Sequence, residues 1–420
     1  MERIKIFDES INDLSELGVI TTIETKKIVI GKIVKTLPVF KIPIELLKYN
    51  QKNGRIFSEI FKLKKQDDLN LDDLEIEEYN DEIENLIWNS DEGKNAITKQ
   101  SINDYGQLEN GVVLIDGTVI DGNRRFTCLR KLNRDNPEID DYKYFKACIL
   151  NVDSNSGISE KDLRKFELTI QFGQEEKVGY KALNKALSIY NDISNDDISI
   201  PEMADILNES RSNINKMIGT VKLVKNFLVF IKAPDDYGVA EDLKIYFTLE
   251  PLNNYITKHK NIYSATEIEE RKMIYFTYLA GVKFELPTQT LRDKMIKLIF
   301  KDPQEYQIFK EEFDELIDDF ERELAPKDDD DALERIKDLK TSIVSEQLRS
   351  LFDKTIRKIK LKLNSEEPIQ ILKDVLKSLE SINLTPFVNA NHEEKIMQII
   401  KLLDLVGEKN DELKKVLDKS

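Results

Sequence analysis

At 420 residues the chain exceeds one hydrophobic core, which stops growing near ~250–300 residues, and 40% apolar with 34% charged residues fits a globular protein. Two cysteines, Cys128 and Cys148, exclude a disulfide framework and suit a reducing, cytoplasmic setting; the start MERIKIFDES and the lack of any ~18-residue uncharged apolar run argue against secretion or a membrane span. The two histidines, His259 and His392, stand far apart, which argues against a His-based metal site or triad, and the net charge of −16 repels nucleic acid on average.

Taken in chain order, residues 1–36 read as an N-terminal extension and residues 37–152 as an α+β domain. A strand is expected over 27–34. GVVLI from Gly111 and TVI from Thr118 flank Asp116-Gly117, a strong hairpin signal. FKACILNV from Phe145 reads as a further strand, while 58–89 and 101–105 read as helices or loops. After Asn151 helical spacing dominates, with a helical segment over 153–232, a helical domain over 233–325 and a C-terminal bundle or oligomerisation region over 326–420. Within the last, residues 332–363 place apolar side chains at helical period, followed by two shorter amphipathic helices.

The charge is uneven. Residues 209–232 hold five basic residues (Arg211, Lys216, Lys222, Lys225, Lys232) against one acid, whereas residues 311–335 hold thirteen acids against three bases. Any polyanion contact must therefore be local.

The stretch TVIDGNRRFTCLRKL, from Thr118 to Leu132, places a strand, a glycine turn and a helix start in succession, with Arg124 and Arg125 in the first helical turn. Free backbone N–H groups, the positive end of the helix dipole and two forked donors then converge, which suits a phosphate. The purely structural alternative pairs the two arginines with Asp116 and Asp121.

Residues 199–218 stand on their own physics. Ser199 with Glu202 forms a capping box, Pro201 lies in the first turn, and Asn208 can take a positive-φ turn. Ser210 caps the next helix. Met203, Leu207, Ile214 and Met217 make an apolar seam between two helices, leaving Arg211, Ser212, Asn213, Asn215 and Lys216 as the polar and basic tips such a helix offers to a DNA groove. An ordinary helical hairpin is the bland alternative.

GNRRFTCL from Gly122 resembles the Gly-x-Arg-Arg-x-x-Ala box of the ParB/sulfiredoxin superfamily. KIPIELLKYN from Lys41, with Asn53-Gly54-Arg55, resembles the opening of that domain, and SINDYGQ, ending in Gly106 and Gln107, resembles its Ser-Ile-x-x-x-Gly helix. The resemblance spans about 37–232 and implies an α+β ParB/sulfiredoxin-like domain followed by an all-α helix-turn-helix and a helical C-terminal half. It further implies a nucleotide triphosphate (CTP or ATP, with Mg2+) held by Arg55, Gly106, Gln107, Gly122, Asn123, Arg124 and Arg125. Glu167 stands in the position of the family's hydrolytic acid. Double-stranded DNA is the implied partner, bound by a homodimer, with a protein partner for the C-terminal helices; partition, transcription control and mobile-element or phage defence all fit.

The departures are specific. Glu109-Asn110 replaces the Gln-Pro of CTP-binding members, and Glu167-Leu-Thr-Ile-Gln171 replaces Glu-Asn-x-x-Arg, which leaves nucleotide identity and turnover open between slow NTPase and binding alone. Asn123 occupies the position of the sulfiredoxin cysteine, setting that chemistry aside. A nuclease or phosphoryl-transfer enzyme on this fold, and an acidic helical scaffold, are the competing readings.

Overall fold

The computed structural model describes residues 6–7, 14–31, 33–54, 56–66, 71–152, 158–173, 182–195, 197–326, 331–383 and 393–417. It divides into two compact units, Met1–Phe352 and Asp353–Ser420.

The first unit begins with a six-stranded mixed sheet built from β1 (Ile20–Ile30), β2 (Ile33–Pro43), β3 (Lys48–Tyr49), β4 (Gly111–Leu114), β5 (Thr118–Asp121) and β6 (Tyr144–Leu150), in the order β1-β2-β6-β4-β5-β3. β1 and β2 form an antiparallel hairpin turning at Gly31, so the single strand expected over 27–34 is in fact the end of one strand and the start of the next. Unbroken β-favouring residues on both sides of a lone glycine hid the turn. The extension drawn as residues 1–36 thus supplies the outer strand of the sheet.

β2 pairs antiparallel with β6, β6 parallel with β4, and β4 antiparallel with β5. The Asp116-Gly117 hairpin forms as expected: Asp116 accepts from the Thr118 N–H at 3.0 Å, and Gly117 takes φ +81°, where an added Cβ would lie 2.4 Å from the Leu46 carbonyl.

Alternation buries both faces of the sheet. Ile42, Val113, Val119, Phe145 and Ala147 face one core under α1 (Phe57–Gln66), α2 (Ile76–Ser90), α3 (Glu92–Tyr105) and α4 (Asn123–Asp135). Val39, Val112, Ile120, Cys148 and Leu150 face the other, closed by Leu163 and Phe166 of α5 (Glu160–Gly173).

From α5 onward the unit is helical: α6 (Ala182–Ser194), α7 (Ile200–Leu207), α8 (Arg211–Phe230), α9 (Tyr237–Asp242), α10 (Ile245–His259), α11 (Ala265–Gly281), α12 (Pro287–Thr290), a π-helix (Leu291–Ile299), α13 (Pro303–Asp314), α14 (Ile317–Leu324) and α15 (Ala332–Leu339). Leu168, Phe172, Ile189, Ile198, Met203 and Ile214 form the core joining α5, α6, α7 and α8. The helix expected over 332–363 is broken: α15 ends at Leu339, Ser342 accepts from the Ser345 N–H, and α16 (Ile343–Glu380) starts afresh. α16 runs as one helix past residue 363, where two shorter helices were expected to follow, and α17 (Glu393–Leu417) comes after it. In the second unit α17 leaves Met397, Ile400, Leu402, Leu405 and Val406 exposed. No described helix is long and apolar enough to cross a membrane.

Candidate functional site

Two places combine the residues singled out by the sequence. The first is the turn from β5 into α4. Gly122 adopts φ +100°, a left-handed conformation that favours glycine, and an added Cβ would sit 2.8 Å from the Phe145 ring and 3.0 Å from the Arg125 guanidinium. As the N-cap of α4, Gly122 offers no side-chain acceptor, and the first turn of α4 contains no acid. The positive end of α4 is therefore not neutralised from within its own turn.

Arg125 is mostly covered and binds two carboxylates: Glu109 at 2.7 Å and Asp121 at 3.5 Å. Asp121 also pairs with Lys26 at 2.8 Å. Asp116, the other expected acid, pairs with Lys48 instead, at 3.5 Å. The charge of Arg124 reaches elsewhere, to Asp91 at the start of α3. Burial opposes the Asp91 carboxylate, but hydrogen bonds from Lys94 and the charges of Lys94 and Arg124 hold it below its ordinary range. The two arginines thus diverge from one helical turn.

Asn123 donates from Nδ2 to the Val119 carbonyl at 3.1 Å. Its Oδ1 is buried without a partner, and so is Nε of Arg125. An unmet acceptor and an unmet charged donor thus lie together at one helix start, and such atoms also occur elsewhere among the described residues. Glu109 and Asp121 are committed to cations, so a divalent ion arriving with a nucleotide finds no unpaired carboxylate in these two.

The remaining residues of the implied nucleotide set divide. Gly106 closes α3, and open space surrounds its Cα. Gln107 bridges strands: its amide donates to the Glu109 and Lys146 carbonyls at 2.9 and 2.7 Å and accepts from the Lys146 N–H at 2.8 Å. That continues the β4 side of β6 by one residue before β4 begins, using a side chain. Arg55 lies outside the described residues. Burial pushes the Cys128 thiol up to about 12, and it donates to the Asn95 carbonyl, so it is an inert core group.

Glu167 sits in a buried ion-pair network. Arg164 binds Glu167 at 2.7 Å and clamps Asp192 of α6 with two bonds, at 2.8 and 2.9 Å. Asn50 donates to Glu167 at 3.3 Å, while Gln171 accepts from the Gly54 N–H at 3.4 Å and donates to the Lys52 carbonyl at 3.3 Å. Glu167 and Gln171 therefore hold the turn that leads to Arg55. Sequence reasoning missed Arg164 and Asp192, since nothing local marks their partnership.

The second place is the α7–α8 pair. The Ser199 N–H and hydroxyl donate to Glu202 at 2.9 and 2.7 Å, and Glu202 also receives Lys165 and Lys161 of α5, each at 2.9 Å. Lys165 above all, with the Ser199 amide, Lys161 and the Ser199 hydroxyl, holds the Glu202 carboxyl far below its usual range. Asn208 ends α7 at φ +51°, and Ser210 accepts from the Asn213 N–H at 3.1 Å to start α8. Met203 and Ile214 are buried, with Leu207 and Met217 packed beside them.

On the outer face of α8, Arg211, Ser212 and Asn215 are exposed and Asn213 is half-buried. Asn213 donates to Glu209 at 2.8 Å and Asn215 to the Arg211 carbonyl at 2.9 Å. Lys216 is ion-paired with Glu250 of α10, and Lys225 with Asp235 at 3.7 Å, so two of the five basic residues of this segment are partly neutralised. Among the described residues, no group of three or more His, Cys, Asp or Glu side chains could hold a metal ion.

No protein-family profile and no curated protein matches the chain. Among solved structures it is similar to the C-terminally truncated chromosome-partitioning protein ParB from Caulobacter crescentus complexed to the centromeric parS site, at 13% identity, covering 54% of this chain and 95% of that one with a TM-score of 0.24. It is also similar to the same truncated protein complexed with CTP-gamma-S, at 13% identity, covering 61% of this chain and 98% of that one with a TM-score of 0.17. At these scores the likeness by itself establishes neither a shared fold nor a shared ligand.

Proposed function

We propose that the chain is a ParB-like DNA-binding protein whose state is set by a nucleotide triphosphate at the Gly122 turn. The observation that carries the DNA half is the first turn of α8. It is capped by Ser210, fixed against α7 by the Met203–Ile214 seam, and presents Arg211, Ser212 and Asn215 to solvent. That is the presentation a groove-reading helix needs, with Arg211 and Lys216 for phosphates and asparagines for adenine edges. The acidic α14 stacks Phe320 on Phe230 at the opposite end of α8 from this first turn.

One such module neutralises few phosphates, so useful affinity requires two modules in a homodimer. The exposed apolar residues of α17 suit self-association. Fluorescence anisotropy with a labelled duplex at two salt concentrations tests this. Wild type is expected to bind at low salt with a steep salt dependence, and Arg211→Ala/Lys216→Ala to lower the slope of log K against log salt by about 2. Absence of binding by wild type at low salt makes α7–α8 a structural hairpin.

The nucleotide half rests on the Gly122 turn: an uncapped helix start, Arg125 with an unmet Nε, and the unmet Asn123 Oδ1. In that reading Arg125 and the first N–H groups of α4 take the phosphates, CTP and ATP being the candidates and Mg2+ arriving on the nucleotide. Glu167 is held by Arg164 and Asn50, which disfavours a mobile hydrolytic acid. Binding without rapid turnover is therefore expected, so the nucleotide acts as a switch. Phosphate-release assays with and without duplex should show slow or no release. Brisk release that disappears in Glu167→Gln would instead make the chain an NTPase.

A further inference from the structure

We infer that the groove between α10 and the π-helix is a mononucleotide site, distinct from the Gly122 turn, in which a base stacks on Phe247 and phosphates meet Arg292 and Lys297. The groove is open to solvent and measures about 530 Å³, a volume within the range of small-ligand sites. Phe247, Tyr255, Lys258 and His259 line one side, all from α10. Phe247 is 54% exposed and meets Tyr246 in a T-shaped contact, so aromatic surface remains available to a planar ligand.

The opposite side carries Arg292 and Lys297, both exposed, on a nine-residue π-helix. Runs of i→i+5 bonding are rare and cluster at functional sites. Here that geometry brings residues five apart onto one face, which an α-helix would not do. Buried Leu291, Met295 and Ile299 anchor the element from behind. Asp293 holds both cations on one face, binding Arg292 at 2.9 Å and Lys297 at 2.7 Å; the trio keeps a net charge of +1, and a phosphate shares the oriented pair with that carboxylate.

His259 is oriented too. Its Nδ1–H donates to the Tyr255 carbonyl at 2.8 Å, since a carbonyl can only accept, which leaves Nε2 as the ring nitrogen for a ligand. In a chain of net charge −16, this groove gathers Lys258, Arg292 and Lys297 beside one histidine, while Glu250 on its rim is occupied by Lys216. The interspersed acids interrupt any extended cationic track, which favours one nucleotide over a polynucleotide.

The test is calorimetry on the full chain carrying Arg125→Ala, titrated with ATP, adenosine and inorganic phosphate, so that binding at the Gly122 turn is weakened first and the response to Arg292, Lys297 and Phe247 substitutions reports the second site. ATP is expected to bind, with Arg292→Ala/Lys297→Ala weakening it by about tenfold or more and Phe247→Ala by about fivefold or more. Adenosine and phosphate alone should each bind less tightly than ATP. All three side chains are exposed, so folding is preserved, and Phe247→Trp should retain binding while its fluorescence is quenched by ATP. No ATP heat in the Arg125→Ala chain, or ATP affinity unchanged by both sets of substitutions, overturns the site. Phosphate binding as tightly as ATP, with Phe247→Ala silent, overturns it as well and leaves an anion patch. The Gly122 reading fails separately, when Arg125→Ala leaves wild-type binding intact.

Discussion

Arg125→Ala is expected to weaken nucleotide triphosphate binding by about tenfold or more while leaving the thermal midpoint close to wild type. A charge-assisted bond to phosphate contributes roughly 1.5–3 kcal/mol, and each 1.4 kcal/mol is a factor of ten. The Arg125–Glu109 pair, by contrast, ends in a carboxylate that is 76% exposed, and such pairs contribute about 0–1 kcal/mol to stability. The same geometry yields an opposite expectation for the partner. Glu109 holds the guanidinium that a phosphate would take, so it competes with the ligand. Glu109→Gln should raise affinity by about fivefold at most, the equivalent of releasing that weak pair. Calorimetry with CTP and ATP on both variants decides the matter. Equal affinity in wild type and Arg125→Ala removes the phosphate reading, and a large loss of stability instead assigns Arg125 to the fold.

Arg164→Ala should be the most destabilising single substitution around the candidate sites, costing about 3–5 kcal/mol in urea unfolding. The guanidinium is 7% exposed, Asp192 is 1% exposed and Glu167 is 6% exposed, so removing the cation strands two carboxylates in a low-dielectric interior. The loss should spread beyond α5 and α6, because Glu167 also receives Asn50 and thereby anchors the 50–54 turn. Replacing the trio together, Arg164→Met with Asp192→Leu and Glu167→Leu, should recover most of the loss, since no charge is then left unpaired. If Arg164→Ala unfolds at the wild-type urea concentration, the network is not structural and Glu167 regains standing as a chemical group.

These two expectations differ in how far the sequence alone could reach them. Caps were legible because they are local: Ser199 and Glu202 are three residues apart, as are Ser210 and Asn213, and Asn208 needed only its tolerance of positive φ. The Asp116-Gly117 hairpin and the Gly122 turn were legible for the same reason. Partner choice was not. Arg125 could reach Asp121 four residues away, but its shorter bond goes to Glu109 across a loop, and Asp116 goes to Lys48. Gln107 read as a ligand group, and its hydrogen bonds to the Lys146 backbone were not legible, because only the folded sheet brings that backbone beside it. The π-helix left no trace in the apolar period, since Leu291, Met295 and Ile299 keep the four-residue spacing of an ordinary helix.

The pairing of β2 with β6 also governs when the molecule becomes a molecule at all. Phe40 lies beside Ala147, and β6 is the strand that joins the β1–β2 hairpin to β4, whose partner β5 is held on its other side by β3. During synthesis the β1–β2 hairpin can close as soon as it leaves the ribosome, being local, but its other edge must wait while more than a hundred further residues are added. Until β6 emerges, Phe145 cannot fill the space beneath Gly122, and the turn from β5 into α4 has no floor. The chain therefore holds an unpaired, β-rich edge through about a quarter of its own translation, and the lysines and glutamate spaced along β1 and β2 disfavour pairing of that nascent edge with a neighbour's.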